Sequence, residues 1–332
     1  MAEQADRRSS GWPRLRVADW ADTRDTLHMW MQIVGKIRLV HAPLINHWWQ
    51  VTFYLSPRGL TTSAIPYGDG VFDLEFDFVE HVLRIRRSAG GTRLVVLAAK
   101  SVADFYAEVI EALGELGIEA SIHASPNEVD PATPFAEDHL HASYDAKAVH
   151  LFWRQLLQAD RVFEEFRSHF VGKASPVHFF WGAMDLAYTR FSGRSAPPHP
   201  GGAPNCPDWV MVEGYSHELS SAGFWPGGGD EGAFYAYAYP EPPGFAAYPV
   251  GPSAASYSQQ SGEFLLPYEA VADADDPEGM LTEFLQTTYE AAAVLAGWDR
   301  AALEDDPQRL IGSGGDPTRD ADHGGPLRPV SG

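Results

Sequence analysis

The sequence predicts an α+β protein in which a unit of helix, antiparallel strands and helix occurs twice. The first observation is that Trp30 and Arg38 in one amphipathic segment recur as Trp153 and Arg161 in another, 123 residues later. The second is that three blocks of strand-like sequence follow the first segment and return in the same order after the second. The connections between strands are too short for the crossovers that parallel strands need, which favours antiparallel pairing.

The first half begins with a helix predicted over residues 22–38, where apolar residues recur with helical spacing. It ends with a helix over 101–117, because Ser101 begins a capping-box-like sequence and Gly117 is a C-terminal stop. The strands predicted between these helices are HWWQVTFYL (47–55), GLTTSAIPYG (59–68), GVFDLEFD (70–77) and RLVVLAA (93–99).

The second half repeats this order, with a long helix predicted over residues 144–170. Its last helix is predicted over 278–297, where Asp276 is a suitable N-cap and Pro277 a suitable first residue. The segment SPVHFFWGAMDLAYTRFSGR (175–194) is interpreted as one strand. The aligned blocks of this half are HFFWGAMDL (178–186), ELSSAGFWPG (218–227), GAFYAYAY (232–239) and EFLLPYEAV (263–271).

The predicted organisation is two similar halves with a linker and two tails. The ranges are a disordered tail over 1–12, a first half over 13–123, a linker over 124–143, a second half over 144–303 with a surface-loop insertion at 194–208, and a disordered tail over 304–332.

The composition favours a soluble protein that does not bind nucleic acid. A formal net charge of -21 would repel a phosphate backbone. No apolar run approaches the ~20 residues that cross a bilayer, so we expect no membrane partner. The N-terminus lacks the apolar core of a secretory signal, and Cys206 is the only cysteine, which excludes an intrachain disulfide. We therefore expect a cytoplasmic protein.

The sequence contains no short motif that identifies a catalysed reaction. GGGDEG (227–232) matches the spacing of a dinucleotide-binding loop, but the following AFYAYAY alternates like a strand and does not open a helix. Neither HExxH nor GxSxG occurs, and the cofactor is unknown. His139 and His141, with Asp138 and Asp145 nearby, leave metal-dependent hydrolysis as a third functional option.

The leading functional hypothesis is a small-molecule pocket between the two halves. Asp185 falls among aromatic residues, where an unpaired carboxylate would be costly, so we expect a hydroxyl or arginine partner or a raised pKa. Tyr235 and Tyr237 belong to a row of tyrosines that is typical of a covered or ligand-facing surface. The candidates for general acid-base catalysis are His217, His178 and Asp185, and those for ligand binding are His47, Trp48, Arg58, Trp181, Arg190, Tyr215 and Tyr235.

Structural interpretations of the same residues stay open. The histidines could be core imidazoles that bond to backbone carbonyls, Asp185 could form a salt bridge, and the aromatic residues could only pack. The alternative function is a non-catalytic interaction or scaffold protein whose aromatic blocks form core and an oligomer interface. Catalysis and oligomeric state are both left open by the sequence.

Four long blocks resemble an uncharacterised bacterial family, the domain-of-unknown-function family numbered 5996. The resemblance covers about residues 12 to 300 and implies no activity, cofactor or catalytic residue. The blocks are NHWWQVTFYLSPRGLTTSAIP (46–66), GKASPVHFFWGAMDLAYTRFSGR (172–194), YSHELSSAGFWPG (215–227) and GEFLLPYEAV (262–271).

Overall fold

A computed structural model of the chain describes residues 11–304, and these residues form seven α-helices and two antiparallel sheets. The predicted α+β class is therefore confirmed. The helices are α1 (Val17–His41), α2 (Val102–Glu115), α3 (Ala146–Ser168), α4 (Asp208–Gly214), α5 (Tyr268–Ala272), α6 (Pro277–Leu295) and α7 (Arg300–Leu303). The strands are β1 (Tyr54–Ser56), β2 (Gly59–Thr61), β3 (Ile65–Tyr67), β4 (Gly70–Asp77), β5 (Val82–Arg87), β6 (Thr92–Val96), β7 (His178–Phe180), β8 (Asp185–Ser195), β9 (His217–Trp225), β10 (Ala233–Tyr239), β11 (Ser256–Ser258) and β12 (Glu263–Pro267).

The two sheets meet at one pair of residues. The first sheet has the order β1-β2-β4-β5-β6, with β3 beside β4, and the second has the order β11-β12-β10-β9-β8-β7. Phe53, just before β1, and Phe179 of β7 exchange two backbone hydrogen bonds of 2.9 and 2.8 Å. This antiparallel bridge places the outer strands of the two sheets side by side.

A continuous hydrophobic core connects the helices with both sheets. The helix α1 packs on α2 and α3, and α6 packs on β9 and β10 of the second sheet. The ring of Trp30 stacks on Phe105 of α2 with 4.5 Å between ring centroids. Within residues 11–304, none of the helices combines the length and the apolar character needed to cross a bilayer.

Two of the predicted helix starts, those of α2 and α6, are confirmed by their capping bonds. Ser101 accepts a hydrogen bond from the amide of Asp104 (3.0 Å) at the start of α2. The carboxylate of Asp276 accepts from the amide of Gly279 (3.0 Å) at the start of α6. In both cases the side chain satisfies an amide that has no partner within the helix. The helix predicted over residues 22–38 is longer and extends from Val17 to His41.

The predicted strand over residues 47–55 is wrong for most of its length. Residues Asn46–Trp48 form a 3-10 turn, and only the end of the block, from Tyr54, belongs to a strand. The backbone amide of His47 donates to the carboxylate of Glu213 (3.1 Å), and the indole of Trp48 donates to the carbonyl of Val210 (2.9 Å). Contacts with α4 therefore override the local strand propensity.

The interpretation of residues 175–194 as one strand is also wrong. The segment folds into a hairpin in which Phe180 of β7 lies opposite Asp185 of β8. Residues 181–184 form the turn, and Met184 has φ of +61°. The turn contains Gly182, a residue type that often interrupts strands, but the alternation of side chains on both sides of it hid the reversal.

The predicted block alignment does not match the positions of the strands in the two sheets. Counted from the bridge at Phe53, β2 and β4 are the second and third strands of the first sheet. The blocks aligned with them contain β9 and β10, which are the third and fourth strands of the second sheet. The duplication of the unit stays a prediction.

The predicted linker and loop insertion pack against the rest of the chain. Phe135 of the linker is fully buried, and Trp12, inside the predicted N-terminal tail, is buried against Phe234 and Tyr268. The ordered chain therefore begins before residue 13. The rest of that tail, residues 1–10, and residues 305–332 of the C-terminal tail lie outside the described residues.

Candidate functional site

A cavity of about 710 Å³ lies on one face of the second sheet. Strand alternation explains its position: β8 directs Asp185 and Thr189 toward the cavity and Leu186 and Tyr188 into the core. Tyr188 contacts Phe166 of α3, with ring centroids 5.9 Å apart. The helices therefore cover one face of this sheet, and the opposite face is the floor of the cavity.

The walls come from parts of the chain that are distant in sequence. They are the C-terminal part of α1, the turn at 46–51, the segment 123–128 at the start of the predicted linker, and the segment 205–215, which contains the end of the predicted loop insertion and α4. Trp48 and Trp209 contact each other with ring centroids 5.2 Å apart, which joins two of these walls. The cavity is therefore a product of tertiary assembly.

Asp185 lies on the floor and has the predicted hydroxyl partner. The hydroxyl of Tyr235 on β10 donates to its carboxylate. Burial raises the pKa of Asp185 to about 7, and the negative charge of Glu128 also raises it, while the bond from Tyr235 lowers it. A carboxyl group with this pKa exchanges its proton near neutral pH.

Two more tyrosines surround this carboxylate. The hydroxyls of Tyr215 and Tyr237 are 2.9 Å apart and share a hydrogen bond. Burial raises the pKa of both phenols, so both are neutral at physiological pH. Because a neutral phenol both donates and accepts, the floor offers polar groups beside an otherwise aromatic wall.

Glu128 is held at the cavity by backbone contacts. Gln32 of α1 donates to the carbonyl of Asn127 (2.7 Å) and accepts from its amide (3.0 Å). The amide of Glu128 donates to the carbonyl of Pro204 (2.8 Å). These bonds flank a φ of +59° at Glu128, a left-handed conformation that is uncommon outside glycine and that often marks functional sites.

The carboxylate of Glu128 faces the cavity beside the β7–β8 turn. A β-carbon built at Gly182 would lie 2.1 Å from its Oε1 atom, so the glycine leaves room for the carboxylate. Within residues 11–304, no donor forms a hydrogen bond with this group. The side chain is open to solvent at the cavity, and the protein atoms packed around its carboxyl raise the pKa of Glu128. The site therefore keeps an acidic group without a protein partner.

Lys36 is the lysine of the cavity wall. Its side chain, on α1, is 3% exposed, donates to the side-chain oxygen of Asn127 and lies 5.7 Å from the centre of the Trp181 ring. Burial lowers the pKa of Lys36 to about 8. A neighbouring amide and an aromatic face therefore already partner its ammonium group.

Six of the ten predicted site residues line the cavity together. His47 uses both ring nitrogens within the protein: Nδ1 donates to the carbonyl of Gly214 (3.0 Å), and Nε2 accepts from Lys173 (2.7 Å). Burial lowers the pKa of His47, in keeping with a neutral ring. The six residues are His47, Trp48, Trp181, Asp185, Tyr215 and Tyr235.

The two other predicted histidines lie outside the cavity wall. His178 is fully buried, and its Nδ1 hydrogen-bonds with the hydroxyl of Thr52 (3.1 Å). Burial lowers its pKa to about 3, so the ring is neutral at physiological pH and only weakly basic. His217 forms a hydrogen bond with the hydroxyl of Ser216 (3.0 Å), and its ring centroid is 5.5 Å from that of His47.

The two predicted arginines also lie elsewhere. Arg58 is at the β1–β2 turn of the first sheet, where it pairs with Asp77 (2.6 Å). Arg190 faces the helices, since it follows Tyr188 by two residues, and its guanidinium lies 3.5 Å from the centre of the Phe166 ring. Neither guanidinium can hold a ligand in this cavity.

The sequence did not identify Glu128, Lys36 or Cys206 as site residues. Their side chains meet in the cavity only because α1, the linker and the loop insertion pack together. The cysteine is a free thiol whose pKa is raised by burial. Two sequence signals pointed to the correct sheet face: the tyrosine row that contains Tyr235 and Tyr237, and the lone carboxylate of Asp185 among aromatic residues.

The predicted metal option has a different structural explanation. The carboxylate of Asp138 accepts hydrogen bonds from the ring of His141 (2.7 Å) and from its amide (3.1 Å). Within the described part of the chain, no three histidine, cysteine, aspartate or glutamate side chains are grouped so that they could hold a metal ion.

Comparison with known proteins identifies a family. No curated protein and no solved structure shows significant similarity to the chain. The model of a family of unknown function, DUF5996, matches residues 12–305, which include both sheets and every wall of the cavity. The chain therefore belongs to the family of unknown function DUF5996.

Proposed function

We propose that this protein is a cytoplasmic protein that binds a small molecule in the cavity on the second sheet. The observation that carries the proposal is the acidic group of Glu128, which faces the cavity without a hydrogen-bond donor. Its backbone conformation is unfavourable for glutamate and persists only because neighbouring segments hold it. A concave, largely apolar site with a few convergent polar groups is typical of ligand binding.

The cavity also supports general acid-base chemistry. Asp185 has a pKa of about 7 and is therefore present in both protonation states at neutral pH. The sequence offered His217, His178 and Asp185 as candidates for this role, and the two histidines lie outside the cavity wall. We assign it to Asp185, with Tyr235 as a positioning residue that fixes the orientation of the carboxylate.

A thermal-shift screen of several hundred metabolites would test small-molecule binding. We expect a few compounds to raise the melting temperature of the wild-type protein, because a ligand that binds only the folded state stabilises it. The same compounds should fail with Ala187→Trp, which places a large side chain in the cavity. Stabilisation that survives in this variant, or a screen without any hit, would contradict the proposal.

An interaction function is the second candidate, and exposed apolar residues near α4 favour it. Leu44 is 69% exposed and Trp209 is 60% exposed, and Ile45 and Val212 are also exposed. Such a surface is suited to a second copy or another protein. Light scattering after size-exclusion chromatography would test it: a monomer at all concentrations would argue against self-association.

We also propose that the two sheets and their flanking helices descend from a duplicated unit. The support is the common order of a long helix, a six-stranded antiparallel sheet and a further helix in each half. Superposition of the halves in a crystal structure would test this. Equivalent positions for α1 and α3 would support duplication, and unrelated positions would count against it.

A further inference from the structure

We infer that the ligand of this cavity carries a protonated amine, held between Glu128 and Asp185 beside aromatic rings. The inference rests on the proposed function and narrows it to a class of organic cation. It begins from the charges that face the cavity. Three carboxyl groups do so, those of Asp185, Glu128 and Glu263.

The basic side chains that line the cavity do not neutralise its three carboxyl groups. Among the described residues that line the cavity, none is an arginine, and the basic side chains are those of Lys36, His47 and His123. None of the three forms an ion pair with a carboxyl group of the cavity within residues 11–304. Lys36 is bonded to Asn127 and lies over Trp181, and His47 uses both of its nitrogens within the protein. The carboxylate of Glu128 is therefore left for a group that comes from outside the chain.

The acidic groups lie close enough to influence one another. The Glu128 carboxylate lies against Gly182 in the turn that leads into β8, and Asp185 is the first residue of that strand. The charge of Glu128 raises the pKa of Asp185, and the charge of Glu263 does so as well. An ammonium group between Glu128 and Asp185 would replace this repulsion with two charge-assisted hydrogen bonds.

The remaining wall suits an organic cation better than a metal ion. Aromatic rings attract ammonium groups through their faces and also remove apolar carbon from water. A site with carboxylates beside aromatic rings therefore favours a ligand that has an ammonium group attached to an apolar hydrocarbon part. The indole rings, which attract cations most strongly, belong to Trp48, Trp49, Trp181, Trp209 and Trp225.

Binding of a cation should depend on pH in a defined direction. The carboxyl of Asp185 is mostly protonated below pH 7, so an ammonium ligand must displace its proton there. Affinity should therefore rise from pH 6 to pH 8, with release of protons in the lower part of this range. The groups that face this carboxyl are Tyr235 and Tyr237 of β10, Tyr215 after α4, Glu128 of the linker and Glu263 of β12.

Compounds of similar shape but different charge would show whether the cavity selects a cation. Phenethylamine, 2-phenylethanol and 3-phenylpropionate share a ring and a two-carbon chain but end in a cation, a neutral hydroxyl and an anion. The same three end groups on indole and naphthalene rings extend the series. Isothermal titration calorimetry at pH 8 would give the dissociation constant of each compound for the full-length protein.

We expect the amines to bind at least about tenfold more tightly than the matching alcohols, as charge-assisted bonds in a partly buried site provide. Glu128→Gln should remove most of this difference while leaving binding of the alcohols unchanged. The control is Asp73→Asn, which removes a carboxylate paired with Arg86 on the first sheet. This variant should change neither the amine preference nor the binding of the alcohols.

The possible failures are distinguishable. Alcohols or carboxylates that bind as tightly as the amines would overturn the cationic ligand and leave small-molecule binding standing. An amine preference that persists in Glu128→Gln would overturn the assigned residues. Amines that do not bind at all would overturn the inference, whereas the metabolite screen with Ala187→Trp decides the proposed function separately.

Discussion

At the scale of single residues, the buried carboxyl of Asp185 destabilises the folded protein when it is charged, but it can exchange a proton near neutral pH. Its carboxyl is buried, and its pKa of about 7 is well above the ordinary value of about 3.9. Between these two pH values the folded state binds more protons than the unfolded state. The free energy of unfolding should therefore fall as pH rises from 4 to 7.

Asp185→Asn should remove this dependence. The amide has nearly the same shape and still accepts the bond from Tyr235, but it carries no charge to bury. We expect the variant to be more stable than wild type at pH 8 by on the order of 2–4 kcal/mol, with the advantage disappearing near pH 4. Urea unfolding at both pH values measures this. Equal stability at pH 8 would show that Asp185 is not buried in its charged form.

Gly182 gives a second residue-scale prediction, about the position of Glu128. The β-carbon of Gly182→Ala would meet the carboxylate of Glu128, which is the flexible end of a side chain and can move. We expect a change in unfolding free energy of less than about 1 kcal/mol but a clear loss of amine affinity. Calorimetry with phenethylamine tests this, and unchanged affinity would mean that Glu128 does not contact the ligand.

Glu128 also shows where sequence reasoning ends. Nothing in ASPNEVDPATP indicates that one glutamate lies in a cavity, since the contacts that hold it come from Gln32 and Pro204, both far away in the chain. Asp185 could be found, because a carboxylate among aromatic residues is unusual in any local pattern. Tyr235 and Tyr237 could be found because strand alternation is local.

At the scale of elements, α1 depends on a close approach to the β7–β8 turn. A β-carbon at Gly35 of α1 would lie 2.3 Å from the ring of Trp181. Gly35→Ala should destabilise the protein by about 1–3 kcal/mol, because the gain in helix propensity is smaller than the cost of displacing a packed ring. It should also weaken ligand binding, since Trp181 and Lys36 both line the cavity.

Gly114 of α2 is the matched control for this prediction. A β-carbon there meets no atom within 4 Å, so Gly114→Ala should stabilise the protein by about 0.5–1 kcal/mol. Chemical denaturation of both variants tests the pair. Stabilisation by Gly35→Ala would show that Trp181 does not pack against α1 as described.

The same contrast explains which elements could be predicted. Strand β4 matches its predicted range of residues 70–77, because a regular alternation of apolar and polar side chains gives a strong local signal. The turn at His47 and Trp48 could not be predicted, because both residues adopt positive φ angles in contact with α4. Caps, helices and alternating strands depend on nearby residues, whereas this turn depends on distant ones.

At the scale of the whole molecule, the two sheets share one core and one backbone bridge. The bridge joins Phe53 to Phe179, and α1, in the first half of the chain, lines the cavity on the second sheet. We therefore expect both halves to unfold together. Guanidinium unfolding followed by far-ultraviolet circular dichroism and by tryptophan fluorescence should give coincident transitions. Two separate transitions would show that the halves are independent domains.

Cys206 allows the most direct measurement of whether a small molecule occupies the cavity beside Glu128. Its thiol is the only one in the chain and lines the cavity, so alkylation by N-ethylmaleimide gives a single mass shift. The most strongly stabilising compound of the screen, at about ten times its Kd, should slow this alkylation by about tenfold, because only the unoccupied fraction reacts. An unchanged alkylation rate at saturating ligand would place the ligand elsewhere and contradict the account.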